Sequence, residues 1–272
     1  MSKLFVVGTP IGNLGDLSQR AIEILNSVDF IAAEDTRVSV KLLNHFNIKK
    51  PIVSYHEHSS DEKEDFITSR ILSGDTCALV SDAGMPVISD PGVRLIKECY
   101  NLSIPVESVP GPTALATALA ISGIECKRFC FEGFLSVNKP SRKKHLDELK
   151  DEKRLMIFYE APHKLPATLK DMYSVFGERN IVIVKELTKI HEKVIHTNFK
   201  DAIAMYEQTV PKGEYVLLIE GAGEENTQYA LSDAVKAAKI DQSEGLSAAQ
   251  AAKRAAKEFD FTRGEIYSLI CK

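Results

Sequence analysis

The strongest constraint on this chain is a repeated unit: a short apolar run, a loop punctuated by glycine and proline, then a helical stretch. Residues 3–7 run into Gly8-Thr9-Pro10-Ile11-Gly12-Asn13-Leu14-Gly15. Residues 76–80 run into Ser81-Asp82-Ala83-Gly84-Met85-Pro86, and residues 105–109 into Pro110-Gly111-Pro112-Thr113-Ala114. Strands that alternate with helices build an α/β protein. The nearly continuous apolar character of 76–80 is that of a strand buried on both faces of a parallel sheet. In such sheets ligands sit beyond the carboxyl ends of the strands, where these three loops fall.

Between the loops, the pattern predicts strands over 30–33 and 52–55. Helices are predicted over 17–28, 38–46, 62–72, 93–100 and 115–122. Asp16 with Gln19 reads as a capping box for the first helix. Past Gly123 the character changes: residues 124–144 are aromatic at Phe129, Phe131 and Phe134, then basic. Strands follow over 155–159, 181–185, 193–197 and 214–219, with helices over 163–176 and 199–208. Beyond Gly221 a tail carries Ala- and Lys-rich helices over 232–240 and 247–259, with few large apolar residues to form a core of its own. The expected organisation is an N-terminal α/β domain over 1–123, a C-terminal α/β domain over 124–225, and a helical extension over 226–272.

The 272 residues, 44% of them hydrophobic, suffice for a substantial core. No apolar run approaches the roughly 18 residues of a membrane span. Five cysteines without a CxxC pair fit reduced thiols in a cytosolic protein. Cys126 and Cys130 lack a second pair, and His56 and His58 lack further ligands at suitable spacing, so no metal is expected. A net charge of −4 excludes a uniformly basic coat but leaves room for a local basic face.

The usual nucleotide fingerprints fail. Gly8–Gly12 does not match GxGxxG, and no GxxxxGK[ST] run occurs. The three loops contain no lysine or arginine to neutralise a pyrophosphate. A cationic, phosphate-free ligand such as S-adenosylmethionine suits them better, met by backbone groups and by Asp82. Glycine permits close backbone approach and proline stiffens the loop.

Several segments then match one family in order. They are Gly8–Leu14, Ala33-Glu34-Asp35-Thr36-Arg37, Ser81–Pro86, Asp90-Pro91-Gly92 and Pro110–Ala114, then Glu132-Gly133-Phe134-Leu135, Phe158-Tyr159-Glu160-Ala161-Pro162-His163 and Glu186-Leu187-Thr188-Lys189. Over residues 3 to about 221 the chain resembles the bacterial small-subunit ribosomal RNA cytidine 2′-O-methyltransferases, a branch of the tetrapyrrole-methylase superfamily. Met85, Ala161, Lys164 and Lys185 depart from the family's more usual residues. The resemblance implies a two-domain tetrapyrrole-methylase-like fold with a helical extension, commonly a homodimer. It implies S-adenosylmethionine held in the cleft between domains, and methyl transfer to a cytidine ribose of 16S ribosomal RNA in the decoding region of the small subunit.

Carried onto this sequence, one wall of the cofactor cleft comprises Gly8, Thr9, Pro10, Ile11, Gly12, Ser81, Asp82, Ala83, Gly84, Met85, Gly111, Pro112, Thr113 and Ala114. The opposite wall comprises Tyr159, Glu160, Ala161, Leu187 and Gly213. Glu34, Asp35 and Arg37 are the expected catalytic group, binding the ribose or taking its proton, with a loop-shaping ion pair as the competing role. Lys139, Arg142, Lys143, Lys144 and Lys189 are the expected RNA contacts, against the usual reading of a charge run as a solvated face. Two other functions fit parts of the pattern: a precorrin-type tetrapyrrole methyltransferase, and a non-catalytic RNA-binding protein of ribosome assembly.

Overall fold

The computed structural model describes residues 2–223, 231–259 and 261–271. They form two compact units, Met1–Ala222 and Gly223–Lys272. Both expected α/β domains lie in the first unit. The expected boundary at 225/226 lies outside the described residues.

The first unit contains two five-stranded sheets. The first sheet is wholly parallel, in the order β3 (Ile52–Ser54), β2 (Phe30–Ala33), β4 (Cys77–Val80), β1 (Leu4–Val7), β5 (Val106–Val109). Alternate side chains of its strands point to opposite faces, and the core divides accordingly. Phe5, Val7, Ile31, Ala33, Ala78 and Val80 pack with Ala21 and Leu25 of α1 (Gln19–Ser27) and Leu43 of α2 (Thr36–His45). Leu4, Phe30, Ala32, Cys77 and Leu79 pack on the other face. Their partners are Ile67 and Ile71 of α3 (Asp61–Leu72), and Leu95 and Cys99 of α4 (Val93–Asn101). The helix after β4 therefore leaves to the face opposite the helices after its neighbours β1 and β2. That divergence opens a crevice at the strand ends, the place where doubly wound sheets bind ligands.

The second sheet is mixed, in the order β6 (Phe129–Phe134), β7 (Leu155–Glu160), β10 (Tyr215–Ile219), β8 (Asn180–Lys185), β9 (Lys193–Asn198). Of its neighbouring pairs, β6 with β7 is parallel and the other three are antiparallel. One face packs on α6 (Lys139–Glu148), α7 (Leu165–Phe176) and α8 (Phe199–Gln208), through Leu146, Leu169 and Phe199 among others. The other face, with Ile157, Val184, Val216 and Leu218, packs on Ala118 of α5 (Ala114–Ile121) and on Ile11 of the first loop. The N-terminal half thus supplies the cover for the second sheet, which seats its strand ends against the crevice of the first.

The second unit is a three-helix bundle: α9 (Leu231–Ser243), α10 (Ala248–Phe259) and α11 (Arg263–Ile270). Its core consists of Ala234, Ala238, Ala251, Ala252, Ala255 and Ile266. Small side chains let the helices approach, and Leu231, Leu246, Phe261 and Ile270 pack around that alanine-rich centre.

Candidate active site

Two adjoining cavities open at the carboxyl ends of β1, β2 and β4. The larger, about 430 Å³, runs from Ile11, Glu34 and Asp82–Met85 to Tyr159–Pro162 and Glu214–Val216 of the second sheet. The smaller, about 340 Å³, lies between Pro10–Gly12, residues of α2, and Lys189. Ile11, Asp82, Ala83 and Glu214 line both.

Local contacts explain how the loops hold this shape. Thr9 and Gly84 exchange backbone hydrogen bonds of 2.9 and 3.1 Å, a one-residue antiparallel bridge joining the β1 and β4 loops. The Thr9 hydroxyl, 1% exposed, donates to the Ser81 carbonyl at 3.2 Å. Gly8 packs backbone to backbone on Gly111: a Cβ at Gly8 would stand 2.7 Å from Gly111 Cα and from Met85 Sδ. Gly12, at φ 148°, lies against the Leu187–Lys189 turn, tying the first loop to the second sheet.

The acidic groups are linked in sequence. Asp82 accepts the Asp35 backbone N–H at 3.1 Å, and the Asp82 N–H points at Glu34 Oε2 at 3.4 Å. Burial raises the Glu34 carboxyl above the usual range, and the Asp82 and Asp35 charges add to it. Burial also raises Asp82, with repulsion from Asp35. Asp90, reached from β4 through a turn with Val87 at φ 78° and Ser89 at φ 66°, lies in the larger cavity. Among the described residues, no lysine, arginine or histidine lines that cavity. A wall with several carboxylates and no cation repels phosphate and attracts a positive ligand, the sign that a sulfonium and an ammonium require.

Of the sequence-derived cofactor residues, Ile11, Asp82, Ala83, Gly84, Met85, Thr113, Ala114, Tyr159, Glu160, Ala161 and Leu187 line the larger cavity. Pro10, Gly12 and Ser81 line the smaller. Gly8, Thr9, Gly111, Pro112 and Gly213 line neither; Gly8, Thr9 and Gly111 instead hold loops together. Glu160, 3% exposed, turns its carboxylate to the Ala161 N–H at 2.8 Å and the Thr168 hydroxyl at 2.5 Å. It shapes the wall more than it faces the space.

Within the expected catalytic group only Glu34 reaches the cavity. Asp35 caps α2 by accepting the Arg37 N–H at 2.8 Å and pairs with the Arg37 guanidinium at 2.6 Å, which holds its carboxyl down at about 2. A carboxylate held this low is a poor proton acceptor near neutral pH, while the Arg37 side chain is 86% exposed and its pair with Asp35 lies in solvent. Both residues lie outside the two cavities and form the loop-shaping ion pair that is the competing role for them.

The basic run lies on α6. Lys139, Lys143 and Lys144 are exposed there. Arg142 turns inward, 14% exposed, to pair with Asp171 of α7 at 2.6 Å and to donate to the Ser136 carbonyl at 3.1 Å. Lys189 lines the smaller cavity and is held between Glu186 and Glu214, each at 2.9 Å. His163 is exposed and lines neither cavity.

Asp90, Ser89 and Tyr215 are wall residues that the sequence does not single out, whereas Phe134, which the sequence offers as a base-stacking aromatic or more readily as core, is exposed on the wall. Asp90-Pro91-Gly92 and Glu132–Leu135 stand among the matching segments, but nothing in their local pattern says that they face a cavity.

The family model for Tetrapyrrole (Corrin/Porphyrin) Methylases matches residues 3–203. The chain belongs to this family. The Ribosomal RNA small subunit methyltransferase I of Synechocystis sp. is 43% identical to it, over 99% of this chain and 97% of that one. Among solved structures, the cobalt precorrin-4 methyltransferase superposes with a TM-score of 0.61 at 18% identity, covering 80% of this chain and 94% of that one. The Thermus thermophilus uroporphyrin-III C-methyltransferase complexed with S-adenyl homocysteine gives 0.57 at 16% identity, covering 79% and 96%. Against this tetrapyrrole-methylase background the α/β fold expected from the sequence holds. So does the class of activity, a methyltransferase. No described helix is long and apolar enough to cross a membrane.

Proposed function

We propose that this methyltransferase transfers a methyl group from S-adenosylmethionine to the 2′-hydroxyl of a cytidine in 16S ribosomal RNA. The name of the Synechocystis relative supports the RNA, and so does its identity along nearly the whole chain. The observation that carries the donor is the larger cavity, with carboxylates at Glu34, Asp82 and Asp90 and no basic side chain. Bound there, S-adenosylmethionine supplies a methyl group on a positively charged sulfur. Pro10–Gly12, Ser81–Met85, Thr113 and Ala114 would hold it from one side, and Tyr159, Ala161 and Leu187 from the other. Their backbone groups orient it and their apolar atoms exclude water.

Alignment is the larger part of the catalysis asked of this chain. Holding two reactants in line contributes about 7–11 kcal/mol when the geometry is good. Phe134 suits the RNA side. It is 53% exposed, lines the larger cavity, and its ring meets Tyr159 edge-on at 5.5 Å. An exposed aromatic face at a cavity mouth stacks an unpaired base, worth about 1–3 kcal/mol. The reading also takes the protein as a cytosolic homodimer that acts within the small ribosomal subunit. It divides the α/β body near residue 123.

The test is label transfer from tritiated S-adenosylmethionine to purified small ribosomal subunits, with a precorrin offered in parallel. Label in RNA alone is expected. Label in precorrin alone would replace the RNA reading with the tetrapyrrole one, and failure to bind the donor in calorimetry would leave a non-catalytic RNA binder.

A second prediction separates RNA from donor. Reversing Lys139, Lys143 and Lys144 to glutamate should weaken RNA binding and leave donor affinity as it was. For each phosphate no longer neutralised, the log–log salt dependence flattens by about 0.7 for single-stranded RNA. An unchanged salt slope would remove α6 from the RNA surface. Arg142→Ala should instead lower stability, since it strands Asp171.

A further inference from the structure

We propose that the Asp90 carboxylate accepts the proton of the attacking hydroxyl. The proposal rests on the reading of the reaction as 2′-O-methylation. In the step, the hydroxyl oxygen forms the new O–C bond. The C–S bond breaks with its electron pair going to sulfur, whose positive charge is thereby cancelled. The hydroxyl proton passes to an Asp90 oxygen.

Position is the first support. Asp90 lines the larger cavity and not the smaller, whereas Asp82 lines both. The turn carrying Asp90 lies against the bulge of β6: a Cβ on Gly133 would stand 3.3 Å from Ser89 Oγ. Phe134, the exposed aromatic suited to stacking a base, follows directly and lines the same cavity. Asp90 thus belongs to the wall where the RNA side of the cavity lies.

Availability is the second. Glu34 takes the Asp82 N–H, Asp82 takes the Asp35 N–H, Glu160 is bonded to Ala161 and Thr168, and Glu214 pairs with Lys189. Among the described residues the Asp90 side chain has no hydrogen bond and no ion pair, and it is half-buried. Each of those carboxylates has an oxygen already engaged, whereas both Asp90 oxygens are open to an incoming proton.

Backbone cost is the third. Val87 and Ser89 both hold positive φ, a region that side chains avoid and a β-branched residue most of all. Such strain gathers where a neighbouring residue must be aimed, and here it brackets the turn that delivers Asp90.

The electrostatics agree. Burial, followed by the facing Glu34 and Asp82 charges, pushes the Asp90 carboxyl up to about 7. The Tyr159 phenol faces it as well, and no cation lines the cavity. A group poised near the working pH is an effective base. The sign follows: activity needs the ionised form, so the rate rises with pH through the Asp90 pKa and then levels. A bound cation favours the ionised form, so kcat should level at lower pH than kcat/KM.

The experiment compares wild type, Asp90→Asn and Asp90→Glu in single-turnover methylation of small subunits across the neutral pH range, with nucleoside mass spectrometry of the product. Asp90→Asn should lose about 10²–10⁴-fold in rate, together with the rise with pH. Its donor affinity should fall far less than its rate. Asp90→Glu should recover part of the rate and a shifted rise. Wild-type 2′-O-methylcytidine formation by Asp90→Asn at near wild-type rate, or with the pH rise intact, would overturn the assignment while leaving the reaction standing. A wild-type product methylated elsewhere than a ribose would overturn the reaction, and the assignment with it.

Discussion

Gly8→Ala is expected to lower affinity for S-adenosylmethionine by more than about tenfold, and methylation with it. The added Cβ would stand 2.7 Å from Gly111 Cα, Gly111 N and Met85 Sδ. Two of these are backbone atoms, so no side-chain rotation relieves the clash. Overpacking of this kind costs about 1–3 kcal/mol, and about 1.4 kcal/mol is a tenfold change in an equilibrium. The strain falls on the two loops that carry Pro10–Gly12 and Thr113–Ala114, so it appears in binding as well as in stability. Gly111→Ala meets the same contact from the other side, with its Cβ 2.8 Å from Gly8 Cα. The double variant should depart from the sum of the two, because contacting sites are coupled. Calorimetric titration of the donor checks both points. Normal affinity in Gly8→Ala would mean that the loops are not held by this approach.

Glu160→Ala should be the largest loss of stability among the wall residues. Its carboxylate lies at 3% exposure and satisfies the Ala161 N–H and the Thr168 hydroxyl, itself 2% exposed. Truncation leaves two unpaired polar groups and a cavity. An unsatisfied buried group costs about 1–3 kcal/mol, so a total of roughly 2–5 kcal/mol is expected. At about 2–4 °C per kcal/mol for a chain of this size, the melting temperature should fall by roughly 5–15 °C. Glu160→Gln keeps an acceptor for Thr168 and should fall less. A large drop in donor affinity with no drop in melting temperature would instead make Glu160 a direct ligand contact.

The central strands β1, β2 and β4 are legible because each is buried on both faces and reads as an unbroken apolar run, whereas the edge strands β3 and β5 carry polar residues and show through the turns that bound them. The loops that follow them are legible for a related reason: glycine and proline mark where backbone must turn sharply. Elements whose signal is spread or mixed are harder. β6 is an edge strand with a register shift between Phe131 and Gly133, so its side chains do not alternate cleanly. Lys139–Glu148 reads as a charge run, yet Asn138 caps it and Leu146 anchors it in the core. Arg142 cannot be told from its exposed neighbours until α7 brings Asp171 beside it. The cap of α1 is Ser18, bonded to the Ala21 N–H, and not the Asp16–Gln19 box that the spacing suggests. A true capping box, Thr262 with Glu265, starts α11, a short helix absent from the sequence-based expectation.

The site is legible as a set of loops and not as a set of roles. Asp82 stands out in sequence because small residues flank it at a strand end. Asp90 does not, because its place depends on a left-handed turn and on packing against Gly133, far along the chain. Asp35 and Arg37 carry two possible roles in sequence, and the fold shows the ion pair: opposite charges two residues apart close on each other at a helix start.

The most direct test of the central claim is nucleoside mapping of 16S ribosomal RNA from small subunits that lack ribose methylation, after incubation with the purified protein and S-adenosylmethionine. The account predicts one new 2′-O-methylated cytidine in the decoding region, absent when the donor is withheld. Methylation on a base, or RNA left unmodified while a precorrin is methylated, would contradict it.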